Sequence, residues 1–235
     1  MSATHPAPEE RPAVVPVSDP TDSRAATNAL LGALKQDRWR PHAVARFLWQ
    51  AADRSVRQAA HHPRALTHTT ALHGLLLALT RDRGDKAWVA TSWTLGALHL
   101  GLLEHRDGLS PADALTLLRG NLPATIVGSS RVSGVLAIAS DLADGRLARR
   151  QATVSPFGDY ADSFADAAFW TWLVLRHEPS RAVRAAAIAA WALPVVTVTA
   201  LAVSRGTMPE RPRPALLRPA AAMQGVVAVR HLLRR

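Results

Sequence analysis

The stretch that decides the fold reads Asp141-Leu-Ala-Asp144-Gly145-Arg-Leu-Ala148-Arg149 and, after eight further residues, Gly158-Asp-Tyr-Ala-Asp162-Ser-Phe-Ala-Asp166. Asp141 and Asp144 are three positions apart, and Asp162 and Asp166 are four apart, so each pair shares one face of a helix. Pro and Gly between the two pairs interrupt a helix. The stretch therefore predicts two helices joined by a short turn, with the acidic pairs facing each other.

A cluster of four carboxylates beside apolar sequence needs neutralising cations, because like charges and burial both disfavour ionised carboxyl groups. Carboxylate oxygens are the hard ligands that Mg²⁺ and Mn²⁺ prefer. Four carboxylates can hold two such ions, the arrangement that clamps the attacking and leaving oxygens of a phosphoryl transfer. The segment therefore predicts a metal site suited to phosphate chemistry.

Three further residues of the segment have predicted roles. Gly145 allows a ligand to approach the backbone closely, and Arg149, one helical turn later, is suited to binding a phosphate. Asp159 follows Gly158 directly and is expected to be the N-cap of the second helix, and not a ligand.

The complete pattern, D-x2-D-G-x2-A-R-x8-G-x3-D-x3-D, resembles the signature of the CDP-alcohol phosphatidyltransferase family. Members of that family are integral membrane enzymes of phospholipid synthesis. They transfer a phosphatidyl-type group from a CDP-linked lipid, such as CDP-diacylglycerol, to an alcohol and release CMP. Upstream, Leu115-Thr-Leu-Leu-Arg119 is similar to the motif that opens the first helix of the family's catalytic domain.

The resemblance implies a role for each site residue. The metal ligands would be Asp141, Asp144, Asp162 and Asp166. Asp166 would also be the general base that deprotonates the acceptor hydroxyl. The residues in contact with the CDP part of the donor would be Gly145, Arg149 and Ser155. By the same resemblance we expect two ions of Mg²⁺ or Mn²⁺, a CDP-linked lipid donor, a small alcohol acceptor and a homodimer.

The composition narrows the class of protein. The chain has 235 residues, a net charge of +10 and no cysteine, which excludes disulfide and thiolate–metal chemistry. A basic charge fits nucleic acid binding and also fits the Arg-rich cytoplasmic edges of a membrane protein. Nucleic acid binding is supported by net charge alone, so nucleic acid is not an expected partner.

Three regions follow along the chain. Residues 1–28 are rich in Pro, Ala and polar residues and predict a disordered tail. Residues 29–65 place Trp39, Phe47, Leu48 and Trp49 among arginines, which favours an amphipathic helix at the surface of an anionic bilayer. An ordinary surface helix of a soluble bundle is the alternative for that region. Residues 66–235 would form the membrane-embedded catalytic domain.

The expected fold is all-α, a polytopic transmembrane bundle preceded by the interfacial helix. A spanning helix needs about 20 apolar residues, and only residues 185–203 approach that length alone. The shorter apolar segments, 71–79, 87–103, 122–140, 160–175 and 214–229, would have to cross as parts of a packed bundle. Arg146, Arg149 and Arg150 favour an active site on the cytoplasmic side of a bacterial-type cell membrane.

Two departures from the family pattern leave alternatives open. Only 21 residues separate Arg119 from Asp141, which is short for two crossings, and a single apolar segment follows residues 185–203. A catalytically degenerate membrane relative is one alternative. Another Asp-rich, magnesium-dependent membrane transferase, such as a prenyltransferase, is the second. The acceptor alcohol also stays open among inositol phosphate, glycerol phosphate and serine.

Overall fold

The computed structural model describes residues 22–80, 82–207 and 214–233, and within these ranges every regular element is helical. The α-helices are α1 (Ser23–Gln36), α2 (Pro41–His61), α3 (Pro63–Leu79), α4 (Arg83–Leu98), α5 (Pro111–Gly120), α6 (Ser133–Arg150), α7 (Pro156–His177), α8 (Arg181–Arg205) and α9 (Pro214–Leu232). Two short 3-10 helices cover Leu100–Leu103 and Leu122–Ala124. The predicted all-α class is confirmed.

The N-terminal boundary differs from the expected one. Residues 1–21 of the predicted tail lie outside the described residues, and α1 already begins at Ser23. The reason is a local cap, because a side-chain oxygen of Asp22 accepts a hydrogen bond of 2.8 Å from the Ala25 amide. The cap extends the helix into the last six residues of the predicted tail.

The predicted amphipathic region 29–65 consists of most of α1, all of α2 and the start of α3. Arg38 and Trp39 adopt left-handed backbone angles in the turn between α1 and α2. On α2, Leu48 is 60% exposed and Trp49 is 74% exposed, so both of these large apolar side chains point away from the bundle. Contact of this helix with a bilayer surface stays a prediction.

The predicted helix–turn–helix is present as α6 and α7. Its second helix begins earlier than expected, because Pro156 takes the first helical position and Ser155 is the N-cap. The Ser155 hydroxyl accepts a hydrogen bond of 3.2 Å from the Gly158 amide. The assignment of Asp159 as the cap is therefore wrong, and Asp159 lies in the first turn of α7.

Helix α7 links two apolar clusters. Near its N-terminus, Phe157 packs with Leu100 and Leu103. Further along, Phe169 and Leu173 belong to a cluster with residues of α6, α8 and α9. The segment of α7 that carries the predicted site lies between these two clusters, which fixes the helix at both ends.

Helix α5 lies against both α6 and α7 and is short and well capped. Ser110 and Asp113 form a reciprocal capping box, with Pro111 at the first position of the helix. At the other end, a Cβ added to Gly120 would lie only 3.2 Å from the Cβ of Ala165 on α7. The small residue therefore allows the two helix backbones to approach closely.

Among the described helices, only α8 is long and apolar enough to cross a membrane. It is 25 residues long and contains Pro194. The predicted apolar segment 122–140 is not a single helix, since a 3-10 turn and a loop precede α6 at Ser133. The polytopic arrangement therefore stays a prediction.

Several helices nevertheless present large apolar side chains to the outside. The exposed residues on α6, α8 and α9 include Val135, Leu136, Leu142, Leu193, Val195, Val196, Val226 and Val229. Exposed apolar residues in such number are common on proteins that contact lipid or another apolar partner.

The loop before α6 provides a test of the fold. An added Cβ at Gly128 would collide with the backbone carbonyl of Leu122, which cannot rotate away. We expect Gly128→Ala to lower the free energy of unfolding by about 1–3 kcal/mol, the usual cost of overpacking. Thermal and denaturant unfolding in one detergent would measure the change.

Gly74→Ala is the matched control. Gly74 lies in α3 with nothing within 4 Å of an added Cβ, and alanine favours helix by up to about 1 kcal/mol over glycine. Equal stability of the Gly128→Ala variant and the Gly74→Ala variant would contradict the tight loop.

Candidate active site

The predicted carboxylates converge from α6 and α7. One oxygen from each of Asp141, Asp144 and Asp162 lies within 4.8 Å of the other two. These three residues line an open pocket of about 580 Å³. The side chains of Asp141 and Asp162 are 42% and 45% exposed, whereas that of Asp144 is 8% exposed. The cluster therefore has one face open to a ligand.

A fully buried arginine lies at the centre of the cluster. The guanidinium of Arg119, at the end of α5, forms an ion pair with each of the four predicted aspartates. Its Nη1 is 2.7 Å from Asp144 Oδ2, and its Nη2 is 3.3 Å from Asp141 Oδ1 and also contacts Asp162 Oδ1. Its Nε is 3.1 Å from Asp166 Oδ1.

These carboxylates keep Arg119 charged. Burial alone would lower the pKa of its guanidinium, but the charges of Asp166, Asp162, Asp144 and Asp141 together raise that pKa above its ordinary value. The guanidinium in turn offsets part of the negative charge of the cluster. Removing one partner of a buried ion pair leaves an uncompensated charge and costs about 3–5 kcal/mol.

Two neutral side chains complete the cluster. Thr116, one turn before Arg119 on α5, donates a hydrogen bond of 2.7 Å to Asp144 Oδ2. Gln224 of α9 donates a hydrogen bond of 2.9 Å to Asp166 Oδ2. Asp166 is not among the residues that line the 580 Å³ pocket. It belongs to the same cluster as the other three aspartates, because its Oδ1 lies 3.1 Å from Arg119 Nε.

The predicted nucleotide-contacting residues lie in the same pocket. Gly145, Arg149 and Ser155 all line it. The guanidinium of Arg149 lies over Gly145, where an added Cβ would be 3.4 Å from Nη1. The structure thus brings the predicted site residues together, while the role assigned to each of them stays a prediction.

An ion-pair network missed in the sequence holds Ser155 in place. Arg106 donates to the carbonyl of Thr153 at 3.0 Å, to Asp113 Oδ2 at 2.6 Å and to Ser155 Oγ at 3.2 Å. The Asp113 carboxylate also accepts hydrogen bonds from the Ser110 amide and hydroxyl. The network ties the start of α5 to the loop that precedes α7.

The sequence signals for these contacts differ in strength, and Arg119 was already part of the Leu115–Arg119 motif. The Ser-Pro-x-Asp pattern at Ser110–Asp113 is a recognisable capping box. Arg119 is a single cation that ends an apolar helix, and such a residue calls for a carboxylate partner. Nothing in the local sequence marks Arg106 or Gln224, because their partners are distant along the chain.

The donor set fits a divalent metal ion. Asp141, Asp144 and Asp162 offer carboxylate oxygens from one face of the pocket, at mutual distances that a single ion can bridge. Oxygen ligands of this kind suit Mg²⁺ and Mn²⁺ better than softer metals.

Comparison with known proteins agrees with this geometry. The family model described as CDP-alcohol phosphatidyltransferase matches residues 112–233, slightly more than half of the chain. The match includes the four aspartates, Arg119 and the pocket residues from α6 and α7. No curated protein and no solved structure matches the chain.

The network around Ser155 can be tested through stability. Asp113 is buried, and its carboxylate accepts hydrogen bonds from Arg106 and from the amide and hydroxyl of Ser110. We expect Asp113→Asn to lower the free energy of unfolding by about 3 kcal/mol, because it leaves the Arg106 charge poorly compensated. Denaturant unfolding of the detergent-solubilised protein would measure the loss.

Asp107→Asn is the control with the same chemical change. Asp107 pairs with Arg64 at 3.7 Å, and both side chains are largely exposed, a setting in which ion pairs contribute at most about 1 kcal/mol. A loss of the same size in both variants would show that the buried network does not stabilise the loop.

Proposed function

The chain belongs to the CDP-alcohol phosphatidyltransferase family, and from this premise we propose that it transfers a phosphatidyl-type group from a CDP-linked lipid, such as CDP-diacylglycerol, to an alcohol, with release of CMP. One observation carries the proposal. Three of the four aspartates of the family pattern, Asp141, Asp144 and Asp162, meet at a single pocket that Gly145, Arg149 and Ser155 also line.

Each pocket residue has a part in binding the donor. A divalent ion at Asp141, Asp144 and Asp162, Mg²⁺ or Mn²⁺, would draw negative charge from the pyrophosphate as CMP departs. Arg149 would bind a phosphate oxygen of the donor, and its guanidinium lies beside Gly145, where a larger side chain would crowd it. Ser155, fixed by Arg106, offers a hydroxyl at the pocket edge.

We assign the proton transfer to Asp166. Its carboxylate would accept the proton of the acceptor hydroxyl as the hydroxyl oxygen forms a bond to the phosphorus on the lipid side of the pyrophosphate. The bond from that phosphorus to the oxygen of CMP breaks, and CMP leaves with the electron pair. Gln224 donates a hydrogen bond to Asp166 Oδ2, while Oδ1 lies 3.1 Å from Arg119 Nε without accepting a hydrogen bond.

We further propose an integral membrane protein. Helix α8 and the exposed apolar residues of α6 and α9 would face lipid, and α2 would lie on the bilayer surface through Leu48 and Trp49. Arg146, Arg149 and Arg150 end α6 beside the pocket, which favours a cytoplasmic active site of a bacterial-type cell membrane. Pairing into a homodimer is proposed from family resemblance alone.

A catalytically degenerate relative is the second candidate. Its support is the contact of Arg119 with all four carboxylates, because this arrangement neutralises part of the cluster without an ion. A magnesium-dependent prenyltransferase has less support, since Gly145, Arg149 and the spacing to Gly158 belong to the CDP-alcohol pattern. The acceptor alcohol could be inositol phosphate, glycerol phosphate or serine, and the residues named here do not distinguish them.

CMP release tests the reaction directly. Detergent-purified protein with CDP-diacylglycerol and Mg²⁺ or Mn²⁺ should form CMP with one member of an acceptor panel, and chelation should stop it. Asp166→Asn should lower the rate by about 10²–10⁴-fold, the usual contribution of a general base, while the protein stays folded.

Asp53→Asn is the matched control, because Asp53 pairs with Arg57 on the exposed side of α2. Full activity of Asp166→Asn would refute the assigned base. Folded wild-type protein that binds metal but forms no CMP with any acceptor would favour the degenerate relative.

Nucleotide competition separates the CDP-alcohol reaction from a prenyl transfer. CDP should inhibit, whereas an isoprenoid diphosphate should not. We expect Arg149→Gln to weaken CDP binding by about 10–100-fold, because a hydrogen bond to a charged group contributes about 1.5–3 kcal/mol. The measurement is the inhibition constant of CDP.

The adjacent Arg150→Gln is the control, since Arg150 does not line the pocket. Inhibition by the isoprenoid diphosphate alone would overturn the proposal, and equal CDP inhibition of both arginine variants would remove Arg149 from the nucleotide site.

A further inference from the structure

An apolar cavity lies between α4, α5 and α7, apart from the pocket of the aspartates. Its volume is about 360 Å³, and its lining includes Leu95 of α4, Leu117 of α5 and Phe157 of α7. Among the described residues, none lines both this cavity and the pocket of the aspartates. Helix α4 precedes the family segment 112–233, so the N-terminal part of the chain supplies one wall of the cavity.

The cavity adjoins an open groove along α7. The groove has a volume of about 540 Å³, and it shares Trp88, Phe164 and Ala168 with the cavity, so the two spaces meet at these residues. From there the groove runs along α7 to Leu175, which is exposed, and to Arg176. The cavity and the groove together are called the α4–α7 groove below.

The polar groups that α4 presents to this space are hydrogen-bonded within the protein. The indole Nε1 of Trp88 donates to the Gly120 carbonyl at 3.0 Å. The hydroxyl of Thr91 donates to the Ala87 carbonyl at 2.8 Å. Neither donor is therefore available to an occupant of the cavity.

Ser92, the third polar residue of the α4 wall, belongs to a buried network. Nδ1 of His73 lies 2.8 Å from the Thr69 carbonyl, so this nitrogen carries the proton, and Nε2 accepts from the Ser92 hydroxyl at 3.1 Å. The side-chain amide of Asn121 donates to the Ser92 oxygen at 2.9 Å. The network joins α3, α4 and the end of α5, which holds the wall in place and uses the hydroxyl proton of Ser92.

Hydrocarbon is the occupant that such a lining favours. Cavities lined by apolar side chains exclude water and bind apolar molecules of matching size. An empty cavity of this volume would also deprive the surrounding side chains of dispersion contacts. For a protein in a membrane, the nearest source of hydrocarbon is the acyl chains of the bilayer.

The length and the charge of the α4–α7 groove fit one chain of a phospholipid. From Arg176 back to Phe164, α7 rises about 18 Å at about 1.5 Å per residue. One leaflet of the hydrocarbon core is about 15 Å thick, so an acyl chain whose headgroup lies at Arg176 would reach the cavity. Arg176 is exposed, and of the described residues that line the two spaces it alone is charged. The mouth of the groove therefore attracts a negatively charged headgroup.

We propose that the α4–α7 groove binds one acyl chain of an anionic phospholipid of the bilayer, with the phosphate beside Arg176 and the end of the chain in the cavity. This lipid is distinct from the donor, because its site lies apart from the pocket of the aspartates. The inference goes beyond the proposed reaction and takes from it only the location in a membrane. The bound chain would fill the space between α4 and the two helices, α5 and α7, that carry Arg119, Asp162 and Asp166.

Cross-linking tests the proposal without any need for turnover. The full chain in detergent is freed of lipid, incubated with phosphatidylglycerol that carries a photoreactive group near the end of one acyl chain, and irradiated. We expect one lipid per chain by native mass spectrometry, and cross-links on the residues of α4 and α7 that line the groove. Cross-links elsewhere on the bundle, without any on α4 or α7, would overturn the proposal.

Ala168→Phe blocks the proposed site. Ala168 lines both the cavity and the open groove, so a phenyl ring there should occupy the path of the chain. We expect this variant to lose the bound lipid and the cross-links on α4. Ala189→Phe is the matched control, because Ala189 is exposed on α8 and lines neither space.

Equal retention of lipid by the two alanine variants would overturn the proposal. If Ala168→Phe does not fold, the cross-link map of the wild type decides the question.

The headgroup is tested with a second pair of variants. Arg176→Gln should weaken the binding of phosphatidylglycerol about five-fold, the contribution of one basic residue at an anionic lipid surface. Arg181→Gln, at the exposed start of α8, should bind as the wild type does. Equal affinity of the wild type for phosphatidylglycerol and phosphatidylcholine would overturn the assignment of an anionic lipid.

Addition of CDP separates this lipid from the donor. Retention of phosphatidylglycerol in the presence of saturating CDP would support the inference, whether or not the protein releases CMP in the acceptor assay. Release of the lipid by CDP would place the lipid in the donor site and refute the inference, while the proposed reaction would stand.

Discussion

The contact of Arg119 with four aspartates is the interaction on which the rest of the site depends. A buried guanidinium and a group of half-buried carboxylates are each unfavourable alone, because both lose hydration. Together they compensate one another, with one cation serving Asp141, Asp144, Asp162 and Asp166. The pairing therefore joins α5, α6 and α7 through charge as well as through apolar packing.

The geometry of α5 makes this contact possible. The helix has only ten residues, and it is fixed at its start by the Ser110–Asp113 capping box. At its end, Gly120 allows close approach to α7. Arg106 extends the same restraint to the loop before α7 by bridging Asp113 and Ser155. One short helix thus sets the position of the central cation and of the pocket edge.

Local spacing along the chain was enough to predict part of this arrangement. The periodicity of the aspartates predicted α6, α7 and their shared acidic cluster, because residues three or four apart must lie on one helix face. The same reasoning could not identify what lies opposite that face. Arg119, Arg106 and Gln224 reach the site through contacts between residues 25 to 58 positions apart, with Asp144, Ser155 and Asp166 respectively. Such contacts depend on how helices cross, which spacing does not specify.

Two helices begin earlier along the chain than predicted, because of local N-caps. Ser155 before Pro156 starts α7 earlier than the Gly158–Asp159 signal indicated, and Asp22 starts α1 within the predicted tail. In both cases a side chain that caps the first turn outweighs a composition that favours a break. Composition averages over many residues, whereas a helix start depends on one hydrogen bond and one backbone conformation.

The connection between Arg119 and Asp141 is short. Its residues form a 3-10 turn, a loop and the start of α6, and not a complete additional helix. Helix α4 instead flanks α5 and α7, where Trp88 bonds to Gly120 and lines an apolar cavity of about 360 Å³ with Tyr160 and Phe164. The carboxylates and Arg119 all lie on α5, α6 and α7, and α9 contributes the hydrogen bond from Gln224 to Asp166. A change in α4 would therefore affect the apolar cavity before it affects the charged cluster, whereas a change in α9 would affect Asp166 directly.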